Sequence, residues 1–293
     1  MSPPGEDRTS SDGLPPIGSV VRELGLAPRK SLGQHFLHDQ NLTRRIARSA
    51  GPLAGATVVE VGPGPGGLTR ALLSEGAGRV IVIERDERTR PALEAIRDRY
   101  PGLVEIHFAD ALDVDWPSLV GRGSGHARIV ANLPYNIATV LLAGWLETEP
   151  WPPWWTRMVL MFQKEVAERI VASPGTKAYG RLAVLSQWRS RPRLVFSLKP
   201  EAFTPPPAVA SAVVDFAPIE NPAPPCSVKT LAKITAAAFG QRRKMLRQSL
   251  RTLIAHPEPL LSAAGLDPTL RGEMLSVSDF GRLAYVLERW PGR

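Results

Sequence analysis

The sequence has little cysteine, no long apolar run and fewer acidic than basic residues, and each shortage excludes a class of protein. Cys226 is the only cysteine among 293 residues, so a disulfide within the chain is impossible and a cytoplasmic location is expected. No apolar run reaches the roughly 18 residues that a membrane span needs, so no membrane partner is expected. The histidines lack metal-ligand spacing, so no metal is expected; they are His35, His38, His107, His126 and His256.

The shortage of acids leaves an excess of positive charge. The chain has 36 Lys or Arg against 28 Asp or Glu, a net charge of +8. Such a balance favours a polyanionic partner, either a nucleic acid or an anionic membrane surface. Residues 218–293 hold eleven of the basic and six of the acidic residues, which concentrates the excess near the end of the chain.

Short apolar segments alternate with helical patterns, which predicts an α/β fold with a mostly parallel sheet of seven strands and helices on both faces. The predicted strands are Thr57–Gly62, Val80–Ile83, Val104–Phe108, Arg128–Ala131, Met158–Phe162, Arg193–Ser197 and Ala212–Phe216.

Composition divides the chain into three segments. Residues 1–27 are rich in Pro, Ser and Gly, which predicts a disordered tail. The α/β domain is predicted over residues 28–217. A proline-rich linker over residues 217–225 then leads into a segment with helical patterns, so residues 218–293 are predicted to form a small helical domain.

A glycine-rich turn follows the first predicted strand. Gly62, Gly64 and Gly66 alternate there, and residues without Cβ let the backbone approach a ligand closely. The dinucleotide pattern is G-x-G-x-x-G, whereas this chain has G-x-G-x-G with Glu60 before it. A carboxylate suits a cationic ligand better than a pyrophosphate. The turn resembles the first motif of S-adenosylmethionine (SAM)-dependent methyltransferases, although a packing role alone also produces such turns.

Polar residues follow four successive predicted strands. Glu60 with Gly62, then Glu84, Asp110 and Asn132, occupy carboxyl ends, where open parallel sheets bind ligands. Gly62 is expected to admit an amino-acid group, Glu84 to accept hydrogen bonds from ribose hydroxyls, and Asp110 to accept one from an adenine amino group. A single acid at a strand end more often caps a helix, but four in order favour a binding site.

The segment Asn132-Leu133-Pro134-Tyr135 resembles the tetrapeptide that enzymes use to methylate exocyclic amines. The Asn132 side-chain oxygen and the Leu133 carbonyl can each accept one N–H of the amine, which returns its lone pair from the aromatic ring. Pro134 fixes the turn, and Tyr135 can stack on an extruded base. The alternative is an Asn132 that only caps the following helix.

A rigid segment is expected where Phe203 precedes the proline run 205–207. Phe203 is predicted to form the second wall of a base pocket opposite Tyr135, and a core position is the alternative.

Two basic segments have sequences suited to phosphate contacts. The segment 28–48 carries an aromatic residue among its basic ones. It is predicted to be either a flap that covers a ligand and contacts phosphates or a solvated helix face. The segment 239–251 is predicted to be a helix with an apolar stripe that contains Phe239, Leu246 and Leu250. Its predicted RNA contacts are Arg242, Arg243, Lys244, Arg247 and Arg251; a merely solvated face is the alternative.

Together these motifs resemble the ribosomal RNA adenine N6-dimethyltransferase family, and most closely its bacterial small-subunit members. The resemblance runs from Arg29 to about Arg251, and its motifs are Lys30–Leu37, Glu60–Gly64, Glu84, Asp110, Asn132–Ile137, Gln163–Val166, Phe203, Ser211–Val214 and Phe239–Lys244. It implies a Rossmann-like SAM-dependent methyltransferase sheet with a small helical domain. The cofactor contacts that it implies are His35, Leu37, Gly62, Glu84, Asp110 and Asn132; many relatives carry Asn in place of His35.

The substrate that the resemblance implies is a pair of adjacent adenosines in the 3′-terminal hairpin of 16S rRNA, each dimethylated on an immature 30S subunit. A monomer with a role in ribosome biogenesis is therefore expected. The alternatives are a large-subunit dimethylase of the macrolide-resistance type, a non-catalytic assembly factor and a nicotinamide oxidoreductase. The last needs G-x-G-x-x-G and has no use for the Asn132–Tyr135 segment.

Overall fold

The computed structural model describes residues 10–27, 33–121 and 127–291. Its strands are β1 (Phe36–Leu37), β2 (Thr57–Val61), β3 (Arg79–Glu84), β4 (Val104–Phe108), β5 (Ala127–Asn132), β6 (Trp155–Gln163), β7 (Ser190–Leu198), β8 (Phe203–Thr204) and β9 (Ser211–Pro218). Its helices are α1 (Ile17–Glu23), α2 (Gln40–Ser49), α3 (Gly67–Ser74), α4 (Arg90–Arg99), α5 (Trp116–Val120), α6 (Ala138–Leu146), α7 (Lys164–Ile170), α8 (Arg181–Arg189), α9 (Val228–Gly240), α10 (Leu246–Ser249), α11 (Pro257–Ala263) and α12 (Val277–Glu288).

Seven strands form the main sheet, in the order β4-β3-β2-β5-β6-β9-β7. The pairs β2–β3, β3–β4, β2–β5 and β5–β6 are parallel. The chain moves outward from β2 to β4 and then returns to the other side of β2 with β5. This reversal is a topological switch point, where α/β sheets open a ligand crevice at the carboxyl ends of the strands. The predicted fold class is confirmed.

Apolar strands explain why the sheet lies at the centre of its unit. The middle of β2 and of β3 consists of β-branched residues such as Val58, Val80 and Ile81, all fully buried. Continuous apolar strands of this kind are typical of parallel sheets covered on both faces. Leu72 on α3 and Leu93 on α4 pack into the same core. The core therefore holds the strand ends, and the side chains they carry, in fixed positions.

The predicted disorder of residues 1–27 is wrong for residues 10–27. Ile17 on α1 and Leu26 are buried. Asp12 forms an ion pair with Arg70 on α3 at 2.5 Å, with the two side chains 7% and 6% exposed, and Arg70 also donates to the Pro15 carbonyl. Buried apolar side chains and a shielded ion pair order this segment despite its proline and glycine. Residues 1–9 and the 28–32 part of the predicted flap lie outside the described residues.

The chain divides into two compact units, and the division differs from the predicted boundary after residue 217. One unit contains the described residues up to Leu141 together with Trp154–Lys164 and Val195–Asp215. The other contains Leu142–Pro153, Glu165–Leu194 and the chain from Phe216 onward. In this second unit, Val184 and Trp188 on α8 share a core with Leu231 on α9 and Phe280 on α12. Helices from the middle of the chain thus complete the helical core.

The predicted helix over residues 239–251 is also wrong. Helix α9 ends at Gly240, a turn follows, and α10 begins only at Leu246. Met245 pairs with Arg271 in an antiparallel bridge, and the Leu246 N–H donates to the Leu270 carbonyl at 2.7 Å. Pairing with this distant segment interrupts the helix that local periodicity favours. Among the described residues, no helix is long and apolar enough to span a membrane.

The Asp12→Asn substitution should destabilise the first unit. It removes the charge partner of a buried guanidinium, and breaking one side of a buried pair costs about 3 kcal/mol. Burial acts to raise the pKa of Asp12, but the hydrogen bonds from Arg70 and Leu14 and the charge of Arg70 outweigh it, so the pKa lies below its ordinary 3.8. The stabilisation is therefore present above pH 3.8 and is lost as the pH falls through the lower, folded-state pKa.

Urea unfolding at neutral pH measures this loss. Asp98→Asn is the matched control, because Asp98 pairs with Arg97 on the surface, and exposed pairs contribute under 1 kcal/mol. Equal unfolding free energies for the two variants would show that the Asp12–Arg70 pair does not anchor the segment.

Candidate active site

A cleft opens at the carboxyl ends of β2, β3 and β5, and residues 33–37 form one of its walls. It contains about 980 Å³ of space, part of it open to solvent, which suits a small-molecule ligand. The structure brings together every predicted cofactor residue at this cleft. The lining includes His35, Leu37, Gly62, Glu84, Asp110 and Asn132, as well as Leu133, Pro134 and Tyr135.

The glycine turn follows β2 in a conformation that needs glycine. Gly62 and Gly64 have φ of +68° and +55°, a region that residues with Cβ rarely adopt. A Cβ on Gly64 would also lie 2.9 Å from the Phe36 ring, and one on Gly66 would collide with Cδ1 of Ile96. The missing Cβ of Gly64 thus lets Phe36 approach the turn, and that of Gly66 leaves room for Ile96 on α4.

Glu84 is held in place by backbone donors. Its Oε2 accepts the N–H of Gly64 at 2.9 Å, and its Oε1 accepts the N–H groups of Arg85 and Asp86, both at 2.8 Å. Burial raises the pKa of Glu84, and these three hydrogen bonds oppose the rise. Because a carboxylate has about four acceptor positions, Oε2 can still accept a hydrogen bond from a ligand.

Glu60 is fully buried below the same turn. Its Oε2 accepts the Thr69 hydroxyl at 2.6 Å. Burial raises the pKa of Glu60 to about 8, the hydrogen bond from Thr69 lowers it, and the charge of Glu84 raises it further. Glu60 is therefore mostly protonated at neutral pH in the free protein. A cation bound nearby would favour its ionised form.

Asp110 follows β4 and has two partners in the structure. One oxygen accepts the Leu112 N–H at 3.0 Å, and the other pairs with Nη1 of Arg85 at 3.0 Å. Sequence reasoning missed Arg85, although it directly follows Glu84. Its position next to Glu84 was the only signal in the sequence, because Arg85 reaches Asp110 only through the pairing of β3 with β4.

The Asn132 amide is oriented by a single contact. Its Nδ2 donates to the His35 carbonyl at 3.0 Å. A carbonyl can only accept, so the amide nitrogen faces His35 and Oδ1 remains available as an acceptor. The first turn of the following helix is closed by the Pro134 carbonyl, which accepts from Ile137 and Ala138. This arrangement disfavours the interpretation of Asn132 as a simple helix cap.

Tyr135 is fixed at its hydroxyl and covered on one face. The hydroxyl shares a 2.5 Å hydrogen bond with Ser211, which begins β9. The His35 ring lies 5.5 Å from the Tyr135 ring at 30°. His35 Nδ1 is 2.8 Å from the Pro205 carbonyl, and because a carbonyl only accepts, Nδ1 carries a proton. His35 and Tyr135 therefore form an aromatic pair at the cleft.

Phe203 does not have the position that the sequence predicted. It is 2% exposed and belongs to the core of its unit, so it offers no face to a base. It pairs with Leu37 between β8 and β1, and its ring meets His35 edge-on at 6.5 Å. Phe203 thus packs against the 35–37 segment, and the ring that lies beside Tyr135 is that of His35 instead.

The predicted RNA residues fall into two groups. Arg242 pairs with Glu273 at 2.7 Å and donates to the carbonyls of Tyr179 and Thr176, so its guanidinium serves the packing of the second unit. The remaining predicted contacts are exposed: Arg243, Lys244, Arg247 and Arg251.

The strand order, with a ligand cleft at the switch point, is that of a Rossmann-like α/β fold. The chain belongs to the ribosomal RNA adenine dimethylase family, whose sequence pattern matches residues 25–288.

Close relatives cover nearly the whole chain. A protein named ribosomal RNA small subunit methyltransferase A from Xanthobacter autotrophicus is 60% identical over 93% of this chain and 94% of the relative. Its namesake from Methylobacterium radiotolerans is 58% identical over 96% of this chain and 95% of the relative.

Solved structures share the fold at lower identity. A dimethyladenosine transferase from Plasmodium falciparum has a TM-score of 0.72 at 23% identity, covering 87% of this chain and 98% of that one. The 23S rRNA methyltransferase ErmE has a TM-score of 0.63 at 24% identity, covering 86% and 99%. At these identities the similarity establishes the fold alone.

The Glu60→Gln substitution should change how stability depends on pH. The Glu60 carboxyl ionises at 4.5 in the unfolded chain and near 8 when folded. The wild type therefore loses stability as the pH rises from about 4.5 to about 8, because unfolding releases a proton in that range. Glutamine does not titrate, so the variant should gain stability relative to the wild type across this window.

Urea unfolding at pH 5, 6.5 and 8 measures the effect, with Glu94→Gln on the surface of α4 as the control. A difference between Glu60→Gln and the wild type that stays constant with pH would contradict the assigned state of Glu60.

Proposed function

We propose that this protein transfers methyl groups from SAM to the N6 atoms of two adjacent adenosines in the 3′-terminal hairpin of 16S rRNA, two to each. One observation carries the proposal: the Asn132–Tyr135 segment lines the same cleft as the predicted cofactor residues. The names of the close relatives support the small-subunit substrate.

The chemistry of the cleft suits SAM. The glycine turn admits a ligand close to the backbone, and three carboxyl groups line the cleft, at Glu60, Glu84 and Asp110. Such a set favours a ligand that carries an ammonium and a sulfonium. Glu84 would hold the ribose hydroxyls and Asp110 the adenine amino group, while Gly62, His35 and Leu37 enclose the rest. SAM supplies an electrophilic methyl group on its sulfonium.

The protein must make the target amine nucleophilic, because its lone pair is delocalised into the purine ring. The Asn132 Oδ1 and the Leu133 carbonyl each accept one N–H of this amine. Two acceptors on one side draw the nitrogen toward tetrahedral geometry and localise its lone pair. Positioning supplies most of the rate, since an oriented amine no longer needs to find the methyl group by diffusion. Pro134 keeps the Leu133 carbonyl in place.

The aromatic pair holds the target base. Tyr135, anchored at Ser211, presents its ring to a purine removed from its stack, as enzymes that act on bases require. The His35 ring stacks against Tyr135 and would form part of the same pocket. This role replaces the one that the sequence predicted for Phe203.

The second unit supplies affinity for RNA. Arg243, Lys244, Arg247 and Arg251 are exposed and would contact phosphates without reading sequence. The substrate is then an immature 30S subunit, on which the enzyme acts as a monomer in the cytoplasm during ribosome biogenesis.

Incubation of 30S subunits that lack the modification with labelled SAM tests the proposal. Label in two adjacent adenosines of the 16S rRNA is expected. Label in the 23S rRNA of 50S subunits incubated in parallel, with none in the 30S subunits, would favour the large-subunit dimethylase, and binding to 30S subunits without any label would leave an assembly factor.

The Asn132→Ala substitution should abolish transfer. Loss of one acceptor aimed at the reacting nitrogen is expected to lower kcat at least about 100-fold, as for other preorganised hydrogen-bonding groups. SAM binding should weaken because the His35 carbonyl loses its partner. The loss should be only moderate, because the other predicted cofactor residues of the cleft remain in place. Single-turnover methylation and calorimetry measure the two effects, with Asn41→Ala on the exposed face of α2 as the control. Full activity in Asn132→Ala would refute this role.

Replacing Arg243, Arg247 and Arg251 together with Gln should weaken binding to 30S subunits and flatten its salt dependence. Each lost phosphate contact reduces the magnitude of the slope of log K against log salt by about 0.7 to 0.9, so the loss of three should reduce it by about 2 to 3. The matched control replaces Arg90, Arg97 and Arg289, exposed cations that pair with acids. An unchanged slope in the first variant would remove these residues from the RNA-binding surface.

A further inference from the structure

Asp86 is a buried carboxylate behind the cleft, shortly after Glu84 at the end of β3. It is 3% exposed and is not among the described residues that line the cleft. Its Oδ2 accepts a hydrogen bond from Nε2 of Gln34 at 2.9 Å, and its own N–H donates to Oε1 of Glu84 at 2.8 Å. Gln34 and Glu84 both line the cleft. Asp86 therefore connects two walls of the cleft from behind.

The Asp86 carboxylate is itself fixed by Arg88. Nε of Arg88 donates to Oδ1 of Asp86 at 2.9 Å, and Nη2 donates to Oδ2 at 2.5 Å, which is the two-point geometry of a strong guanidinium–carboxylate pair. The third nitrogen, Nη1, donates to the Ala27 carbonyl at 3.2 Å. The hydrogen bonds from Arg88 lower the pKa of Asp86 to about 2, burial opposes them, and the hydrogen bond from Gln34 lowers it further. Asp86 is thus an ionised acceptor at neutral pH.

The acceptor capacity of Asp86 is already used within the protein. Besides the three side-chain contacts, the backbone N–H of Arg88 donates to Oδ1 at 3.2 Å. A carboxylate has about four acceptor positions, so these donors occupy them. Asp86 is therefore built to hold its neighbours and not to bind a ligand.

The 33–37 segment, which walls the cleft, is attached at both of its ends. At one end Phe36 and Leu37 are buried and pair with β8. At the other end Gln34, which is only half-buried, donates to Asp86. Between the two ends lies the His35 carbonyl that orients the Asn132 amide. The end at β1 is anchored by burial, whereas the position of the other end depends on a side-chain contact.

We propose that Asp86 is a positioning residue that keeps the 33–37 segment closed over the cofactor. Arg88 fixes the Asp86 carboxylate, and the carboxylate holds Gln34 and with it the free end of the segment. This inference rests on the proposed function, since it takes SAM as the ligand of the cleft.

The competing interpretation is that Asp86 only closes the turn after β3. Its Oδ1 accepts the Arg88 N–H and its carbonyl accepts the Thr89 hydroxyl at 2.8 Å, as turn-closing residues do. On that interpretation the contact with Gln34 is incidental. Substitutions of Gln34 separate the two interpretations, because they leave the turn and the pair with Arg88 intact.

Calorimetric titration of Gln34→Met with S-adenosylhomocysteine tests the proposal. Methionine keeps the length of the side chain but cannot donate to Asp86. Loss of a hydrogen bond to a charged group should lower the closed population about tenfold, and the apparent affinity falls by the same factor. In methylation assays the KM for SAM should rise in parallel. The kcat should change little, because bound cofactor closes the segment again at saturation.

An exchange of donor and acceptor shows whether the effect passes through Asp86. Gln34→Glu places a second carboxylate against Asp86, and the repulsion should weaken binding of S-adenosylhomocysteine further. Adding Asp86→Asn supplies an amide donor on the other side of the contact, so the double variant should recover most of the affinity that Gln34→Glu loses. S-adenosylhomocysteine carries no sulfonium, so the added charge does not favour it directly.

The matched control is Gln40→Met on α2, where an exposed glutamine donates to the Ser10 hydroxyl, and all variants are compared by thermal unfolding. Gln34→Met with wild-type affinity would overturn the inference. A double variant that binds no better than Gln34→Glu alone would also overturn it. A wild-type protein that does not bind S-adenosylhomocysteine would instead overturn the proposed function.

Discussion

The hydrogen bond from the Asn132 amide to the His35 carbonyl decides how the site can work. Because that carbonyl only accepts, the amide cannot reverse without losing the bond, and Oδ1 remains the acceptor that the chemistry needs. His35 is in turn held by the Pro205 carbonyl and by the pairing of β1 with β8. Two loops far from β5 in the sequence therefore maintain the orientation of one amide at its end.

The two ligands that the proposal requires carry opposite charges, and the side chains suited to each lie in different units. Three carboxyl groups line the cleft of the first unit, whereas exposed cations between Arg243 and Arg251 lie in the second. A cationic cofactor and a polyanionic RNA would each meet the opposite sign. Within the cleft, burial keeps Glu60 largely protonated in the free protein, so the negative charge there is smaller than the sequence alone suggests.

Local patterns made much of this structure predictable. The alternation of strands and helices, the glycine turn and the polar strand ends all depend on residues near one another, and parallel strands bring such ends together automatically. Contacts between distant segments were not predictable. Asp12 forms its ion pair with Arg70, 58 residues away. Arg242 forms an ion pair with Glu273. Met245 pairs with Arg271 instead of continuing a helix. Phe203 looked equally suited to a pocket wall or a core, and only its pairing with β1 decided for the core.

A crystal structure of the protein with S-adenosylhomocysteine and an adenosine-containing RNA fragment tests the central claim most directly. The account predicts that the adenine amine lies within hydrogen-bonding distance of Asn132 Oδ1 and the Leu133 carbonyl, with the ring against Tyr135 and the nitrogen facing the sulfur. An adenine bound away from Tyr135, or an Asn132 amide whose oxygen points away from the amine, would contradict it.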